Sequence, residues 1–450
     1  MESYRNDELE ELLTSYDSEA NEIVIVYGQL YLGKSEWIAD YCKDRPCLCL
    51  AAEEATEREQ RYLWARLLVP ADERTEDYPS FYDLIASVCE KTEEKLVVWI
   101  RDFHLAVKGS TCFFEDLVRL KQSGYRLQIL LSSSALGFVE NSLIGRIGRS
   151  ALEIDHFMKI RPLRYEHLCA CQYNSTREEN CFCYGILGGY PGLWNYFDSR
   201  LSLQENLVTK LLADTGALRD AVHRILNYEL RELNVYSTIL ASLASGMYKL
   251  NEIHEHTGFS RAKISVYLKN LMELELVEKV YSVDTAGRDN AQKGIYRICH
   301  PLIRFYFAFL YGRTRGLTDA RERYLTDVAP DLRRYGEETF QRITAEYFAR
   351  KLSDGTLAYP YDRIGLWYGK AGVIPVVTVD RDGNYMVGMC SFEKPVMTYQ
   401  DYEWLFFLLE QARITPKFIY LFAVRGFDEK ILLECKVHGN VRAVTLDEMI

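Results

Sequence analysis

The chain has 450 residues, 48% of them hydrophobic and 26% charged, and a formal net charge of −11. That length suits about three domains at roughly 150 residues each, and the acidic balance excludes a surface that coats nucleic acid along its length while allowing one local basic face. No apolar run approaches the ~20 residues of a membrane-spanning helix, and the polar, acidic first eleven residues do not read as a signal peptide, so a cytoplasmic protein away from membranes is expected.

Residues 23–27, 47–51, 96–100 and 127–132 are short apolar runs without period-2 alternation, as in parallel strands covered on both faces. Helical stretches lie between them. The expectation is a doubly wound α/β unit that binds ligands at the carboxyl ends of its strands. Between the first run and a helical stretch at 36–43 stands Gly28-Gln-Leu-Tyr-Leu-Gly-Lys-Ser35, a complete G-x-x-x-x-G-K-S. Gly28 and Gly33 let the backbone wrap close to phosphate oxygens, with N–H groups pointing inward at a helix amino terminus. Lys34 would reach the terminal phosphates of ATP or ADP, and the Ser35 hydroxyl would ligate magnesium.

From about residue 161 to 214 the pattern turns helical, broken by Gly188-Gly189-Tyr190-Pro191-Gly192. Cys169-x-Cys171 and Cys181-x-Cys183 also fall here, among twelve cysteines in all. Zinc sites prefer C-x2-C spacing, so reduced thiols are expected instead of a metal centre.

Residues 228–299 change rhythm. Helices at 228–244, 249–257 and 261–274 precede a ribbon with arms at 277–283 and 295–298 around Gly287 and Gly294, which makes a winged helix-turn-helix. Ser260 would cap its third helix. On that helix Ile264, Tyr267, Leu268, Leu271 and Leu274 form the inward stripe, and Arg261, Lys263, Ser265 and Lys269 lie outward. The outer set could enter a DNA groove or remain a solvated face, since Glu273, Glu275 and Glu278 offset its charge. A linker with Thr314, Gly316 and Thr318 leads to a small α/β unit from about Leu325. It should contain helices at 337–352 and 399–412 and strands at 364–367, 373–379, 385–392, 418–424 and 441–444, with a hairpin turn at Asp380-Arg381-Asp382-Gly383. The expected division is 1–160, 161–225, 226–312 and 325–450.

Five segments give the chain a family resemblance: Tyr4-Arg5-x-x-Glu8-Leu9, Val26-Tyr27-Gly28, Gly188-Gly189-Tyr190-Pro191, the run from Tyr296-Arg297-Ile298 to Phe305-Tyr306-Phe307, and Gly365-Leu366-Trp367-Tyr368. In that order they resemble the archaeal and bacterial DEXX-box, AAA-like P-loop ATPases. That family carries a winged helix and a restriction-endonuclease-like carboxyl-terminal domain of unassigned function. The resemblance implies a P-loop ATPase domain (1–160), a helical lid (161–225), a winged helix (226–312) and a nuclease-like last domain (325–450).

Two chemical centres depart from the family pattern. Its third strand usually ends in Asp-Glu, for magnesium and for the attacking water. Here the strand ends Arg101-Asp102-Phe103, so that Arg101 stands at the magnesium position and Asp102 at the catalytic one. A slip of one residue would return Asp102 to the magnesium role. Arg101 could itself neutralise phosphate charge. In the last domain, Pro375, Met389 and Ser391 stand where an aspartate and Glu-x-Lys are expected. The helix acid aligns near Phe340 or Gln341, with Glu337 and Glu338 a turn away, so this domain reads as a pseudonuclease. By the same resemblance Pro191 would pack on adenine or end a lid helix, Ser133 or Ser134 would sense the terminal phosphate, and Arg146 would contact phosphate or pair at the surface. Three functions remain open: a nucleotide-dependent switch or scaffold whose winged helix binds DNA or a protein, a slow ATPase using Asp102, and a structural protein that binds no nucleotide.

Overall fold

The computed structural model describes residues 5–70, 80–171, 176–283, 294–313, 319–357 and 359–450; Tyr4, Gly287, Thr314, Gly316 and Thr318 fall outside them. The chain forms two compact units, Met1–Pro162 with Tyr190–Gly192, and Leu163–Gly189 with Leu193–Ile450. Among the described residues no helix is long and apolar enough to cross a membrane.

The first unit is built on a parallel sheet of β1 (Glu22–Tyr27), β2 (Cys47–Ala51), β3 (Leu96–Arg101), β4 (Leu127–Ser133) and β5 (His156–Lys159), ordered β2-β3-β4-β1-β5. Ile23, Val24, Ile25 and Val26 of β1 are wholly buried, as an apolar run without alternation requires when helices cover both faces. β5 was not foreseen. It has four residues, is partly exposed and pairs only with β1, so hydrogen bonding and not apolar pattern defines it. The register sets Tyr27 beside Ser133 and Ile100 beside Leu131. The chain therefore leaves β1, β3 and β4 at one end of the sheet, at Gly28, Asp102 and Ser134.

In the second unit, helices Leu233–Ala244, Leu250–Thr257 and Arg261–Glu273 precede the antiparallel pair β6 (Val277–Val280) and β7 (Ile295–Ile298), a winged helix. Its first helix is shorter than expected, because Leu230 takes an extended conformation and leaves Tyr228 on a separate helix, Ala217–Glu229. Ser260 caps the third helix, accepting from the Lys263 N–H. Ile264, Leu268 and Leu271 are buried. Tyr267, expected inward, is only half-buried: its hydroxyl donates to Glu232 and its ring packs on Tyr236. Leu274 ends the helix, also half-buried.

The remaining sheet is mixed. It contains β8 (Arg363–Tyr368), β9 (Val373–Val379), β10 (Tyr385–Ser391), β12 (Pro416–Ala423) and β14 (Val441–Thr445), ordered β14-β12-β10-β9-β8, beside a two-residue pair, β11 (Val396–Met397) with β13 (Gly426–Phe427). The long helix Leu332–Ser353 covers one face, with Cys390 Sγ 3.5 Å from Thr344 Oγ1. Leu405, Leu408 and Leu409 of the helix Tyr399–Ala412 and Ile431 of the helix Glu429–Val437 cover the other.

Met389 packs into the cluster on the Tyr399–Ala412 side, whereas Gly388 and Cys390 face the long helix. Residues one apart on a strand take opposite faces, and none of the four from Gly388 to Ser391 is a glutamate or a lysine.

Candidate functional site

The loop after β1 binds itself tightly. Lys34, in the first turn of the helix Lys34–Cys42, is buried, and its Nζ donates to Gly28 O at 2.9 Å and Gln29 O at 2.7 Å. Burial pushes its ammonium down to about 7, against the attraction of Asp102. The other charges acting on it are Arg5, which lowers it further, and Glu36, which raises it. Gly33 has φ 75° and Gly28 φ 154°, and a Cβ on Gly28 would lie 2.5 Å from Ile160 O, so that only glycine fits there. The backbone N–H groups of Leu30, Leu32, Gly33, Lys34 and Ser35 have no acceptor among the described residues. Ser35 is half-buried at the mouth of this array.

Three groups that sequence reasoning did not assign to the site hold the loop in place. Arg5 is buried and donates to Leu32 O at 3.1 Å and Arg161 O at 3.2 Å. Tyr190 Oη donates to Gln29 Oε1 at 2.5 Å. The Gly192 N–H donates to Tyr31 O at 2.9 Å, and a Cβ on Gly192 would meet Tyr31 Cα and O at 3.0 Å. Tyr31 itself has φ 65°, a left-handed conformation that a tyrosine adopts only at a cost. Pro191, expected near adenine, is buried within this same segment, which is seated on the loop.

The two residues ending the third strand point differently. Asp102, at φ 50° before the helix Phe103–Gly109, is the carboxylate that acts most strongly on Lys34. Arg101 is exposed, its guanidinium 5.8 Å from the ring centre of Trp99 and close enough to oppose the rise that burial gives the Cys49 thiol's pKa on β2. The pleat explains this, since residues two apart on a strand share a face. Arg101 thus shares a face with Trp99, which is buried with its indole N–H on Ser132 Oγ, and it is not among the charges acting on Lys34.

Ser133 is buried and already engaged, with Oγ 3.0 Å from His104 Nδ1 and accepting from the Ala135 N–H. Burial and Lys108 hold the His104 imidazolium down to about 4, so the ring is neutral at physiological pH. Ser134 is half-buried at the strand end, and Arg146 is exposed on the helix Leu143–Ile147. The position after Asp102 is Phe103, wholly buried.

On the winged helix the outer residues are partly committed. Arg261 donates to Asn251 Oδ1 at 2.7 Å, Lys263 lies 4.7 Å from the Phe259 ring centre, Lys269 pairs with Glu273 at 3.6 Å, and Ser265 is exposed. In the last domain Glu337 accepts from the N–H groups of Phe392 and Glu393, and Glu338 pairs with Arg304 at 2.7 Å. Among the described residues no group of three or more His, Cys, Asp or Glu is placed to hold a metal ion. Cys169 accepts from Asn180, Cys181 and Cys183 are buried, and Cys171 is exposed.

Comparison with known proteins agrees with this architecture. Residues 237–279 match the arsR family of bacterial regulatory proteins, and residues 306–402 match a family described as archaeal and bacterial proteins of unknown function. An uncharacterized protein of Methanocaldococcus jannaschii is 22% identical over 392 residues, 84% of each chain. The solved Walker-type ATPase of Pyrococcus abyssi superposes with a TM-score of 0.51 at 17% identity, over 67% of this chain and 95% of that one, a likeness of fold. These likenesses are to a P-loop ATPase fold, to a winged helix and to a carboxyl-terminal domain of unknown function.

Proposed function

We propose that the chain is a nucleotide-binding switch or scaffold that holds ATP or ADP in the Gly28–Ser35 loop and hydrolyses ATP weakly or not at all. The observation that carries this reading is the set of N–H groups of Leu30, Leu32, Gly33, Lys34 and Ser35, without acceptors among the described residues, around a buried Lys34. Buried backbone donors are nearly always satisfied. Donors left open beside a lysine at a helix amino terminus suit the oxygen atoms of phosphates. The Nζ bonds to Gly28 and Gln29 are neutral substitutes that phosphate oxygens would replace with charge-assisted ones.

Ser35 and Asp102 offer a hydroxyl and a carboxylate, hard oxygen donors that fit magnesium, and these two would hold it. The ion would neutralise phosphate charge. Asp102 takes this place in preference to Arg101, because it is the acid that faces Lys34. With Asp102 there, no carboxylate follows for the attacking water, and neutral His104 is committed to Ser133. This supports weak hydrolysis over efficient turnover. The winged helix is the partner-binding module, and DNA is the partner that Arg261, Lys263, Ser265 and Lys269 fit.

Calorimetric titration with ATP and ADP, with and without magnesium, tests the reading. Saturable binding strengthened by magnesium is expected, with turnover far below the ~1 s⁻¹ lower end of typical enzymes. Absence of binding at millimolar ATP would return the chain to the purely structural reading. For the winged helix, anisotropy with a labelled duplex should show salt-dependent binding that Lys263→Glu weakens.

A further inference from the structure

At the place where the family resemblance puts acidic metal ligands, the second unit contains a cavity of about 260 Å³. The long helix Leu332–Ser353 contributes Glu338, Gln341 and Arg342, and β8 and β9 contribute an apolar wall of Ile364, Leu366 and Pro375. The wing closes it with Glu278 and Arg297 from β6 and β7. The wing is fixed there, since the Val283 N–H donates to Leu366 O at 2.9 Å. Gln341 and Pro375, two positions expected from the sequence to carry metal-binding acids, do meet in one cavity. They bring an amide and a pyrrolidine ring, and two arginines stand beside them.

Hydrogen-bond accounting gives the sign of the ligand. Glu278 is committed to Arg297 at 3.1 Å and Glu338 to Arg304 at 2.7 Å. Arg297 keeps a buried Nε with no partner. Arg342 donates through Nη1 to Cys299 O at 3.1 Å and forms no ion pair among the described residues. The Gln341 side-chain amide has no hydrogen bond among them. The cavity therefore has a surplus of donors: two carboxylates, Glu278 and Glu338, each already paired, face three guanidinium groups, and the half-buried Arg342 is the one that feels both acids without an ion pair to either among the described residues. Such a charge is costly to leave unpaired, and a divalent metal ion would make it worse.

We propose that this cavity binds a small organic anion. Its carboxylate or phosphate head would be held by Arg342, Arg297 Nε and Gln341, and its short apolar body would lie against Ile364, Leu366 and Pro375. Planar guanidinium groups suit both head groups. The volume is below the ~300 Å³ lower end for drug-sized ligands, which limits the body to about one ring or a short chain. Because the wing forms one wall, an occupant would join the winged helix to the last domain.

Saturation-transfer NMR on the full chain tests this, with benzoate and phenyl phosphate as probes and benzyl alcohol as the uncharged control. Each titration is repeated in Lys34→Ala, so that phosphate bound at the Gly28–Ser35 loop is not mistaken for this site. Saturable binding of one or both acids, but not of the alcohol, is expected in both backgrounds, and the acid that binds identifies the head group. Arg342→Met should weaken it at least tenfold while melting no lower than wild type. Ala345→Leu, which fills the cavity and keeps every charge, should do the same and decides the matter if Arg342→Met does not fold. No binding up to ~10 mM, or binding that survives either folded variant, overturns the proposal.

Discussion

Replacing Lys34 with methionine removes a charge that the fold holds at a cost. Burial carries its pKa from 10.5 to about 7, a drop of about 3.5, which at ~1.36 kcal/mol per tenfold change is ~5 kcal/mol against the protonated folded state. The unfolded chain binds this proton more tightly, so between pH 7 and 10.5 stability rises with pH, and below pH 7 the full penalty applies. At pH 6, Lys34→Met should therefore be more stable than wild type by ~1–4 kcal/mol, the usual range when an apolar isostere replaces a buried charge. Its advantage should shrink by ~2.7 kcal/mol between pH 7 and pH 9, two tenfold steps. Urea unfolding of both proteins at pH 6, 7 and 9 measures this, and the difference between them cancels the other titrating groups. Phosphate oxygens beside Nζ would restore the ammonium. Wild type should thus take up close to one proton on binding ATP at pH 8, read from calorimetry in two buffers of different ionisation enthalpy, whereas Lys34→Met should neither take up a proton nor be stabilised by ATP. A variant less stable than wild type at pH 6, or ATP binding without proton uptake, would refute the reasoning.

Asp102→Asn should abolish any gain in ATP affinity from magnesium, while Arg101→Ala should leave affinity within about twofold; the reverse result would restore Arg101 to the phosphates. Tyr190→Phe removes the buried hydrogen bond to Gln29 Oε1, so stability should fall by about 1 kcal/mol, measured by urea unfolding. Incubation with plasmid, linear and single-stranded DNA plus magnesium or manganese should leave all three intact, and cleavage that follows the purified protein and is lost in Glu337→Ala or Glu338→Ala would show a relocated active site.

The P-loop was legible because its chemistry is local: two glycines, a lysine and a serine at fixed spacing, between an apolar strand and a helix. Apart from β5, the strands of both five-stranded sheets were legible for a similar reason, since continuous burial writes continuous apolar runs. The facing of those strands was not. Where both faces are buried, composition does not distinguish them, so the sequence alone does not show that Met389 faces the Tyr399–Ala412 helix or that Arg101 shares the face of Trp99. Arg5 and Tyr190 were missed as parts of the site for another reason. Their partners are the carbonyl of Leu32 and the side chain of Gln29, far away in sequence, and nothing local to either residue announces such a contact. The open N–H groups of Leu30, Leu32, Gly33, Lys34 and Ser35 and the absence of an ion pair at Arg342, both among the described residues, are likewise properties of an assembled fold.

The clamp from residues 190–192 bears on how a bound nucleotide could be read out. The loop conformation with Tyr31 at φ 65° carries strain, and the Gly192 N–H and the Tyr190 hydroxyl bond to this loop. Phosphate that draws Nζ from the Gly28 and Gln29 carbonyls changes the same few residues to which the clamp is bonded. The chain runs directly from Gly189, in the second unit, through these three residues and back into that unit at Leu193. Covalent continuity thus joins the clamp to the segment that leads to the winged helix. A loop with an efficient water-activating acid would pass through the bound state once per turnover. One without it would hold the state for as long as the nucleotide stays bound, which is the behaviour required of a switch.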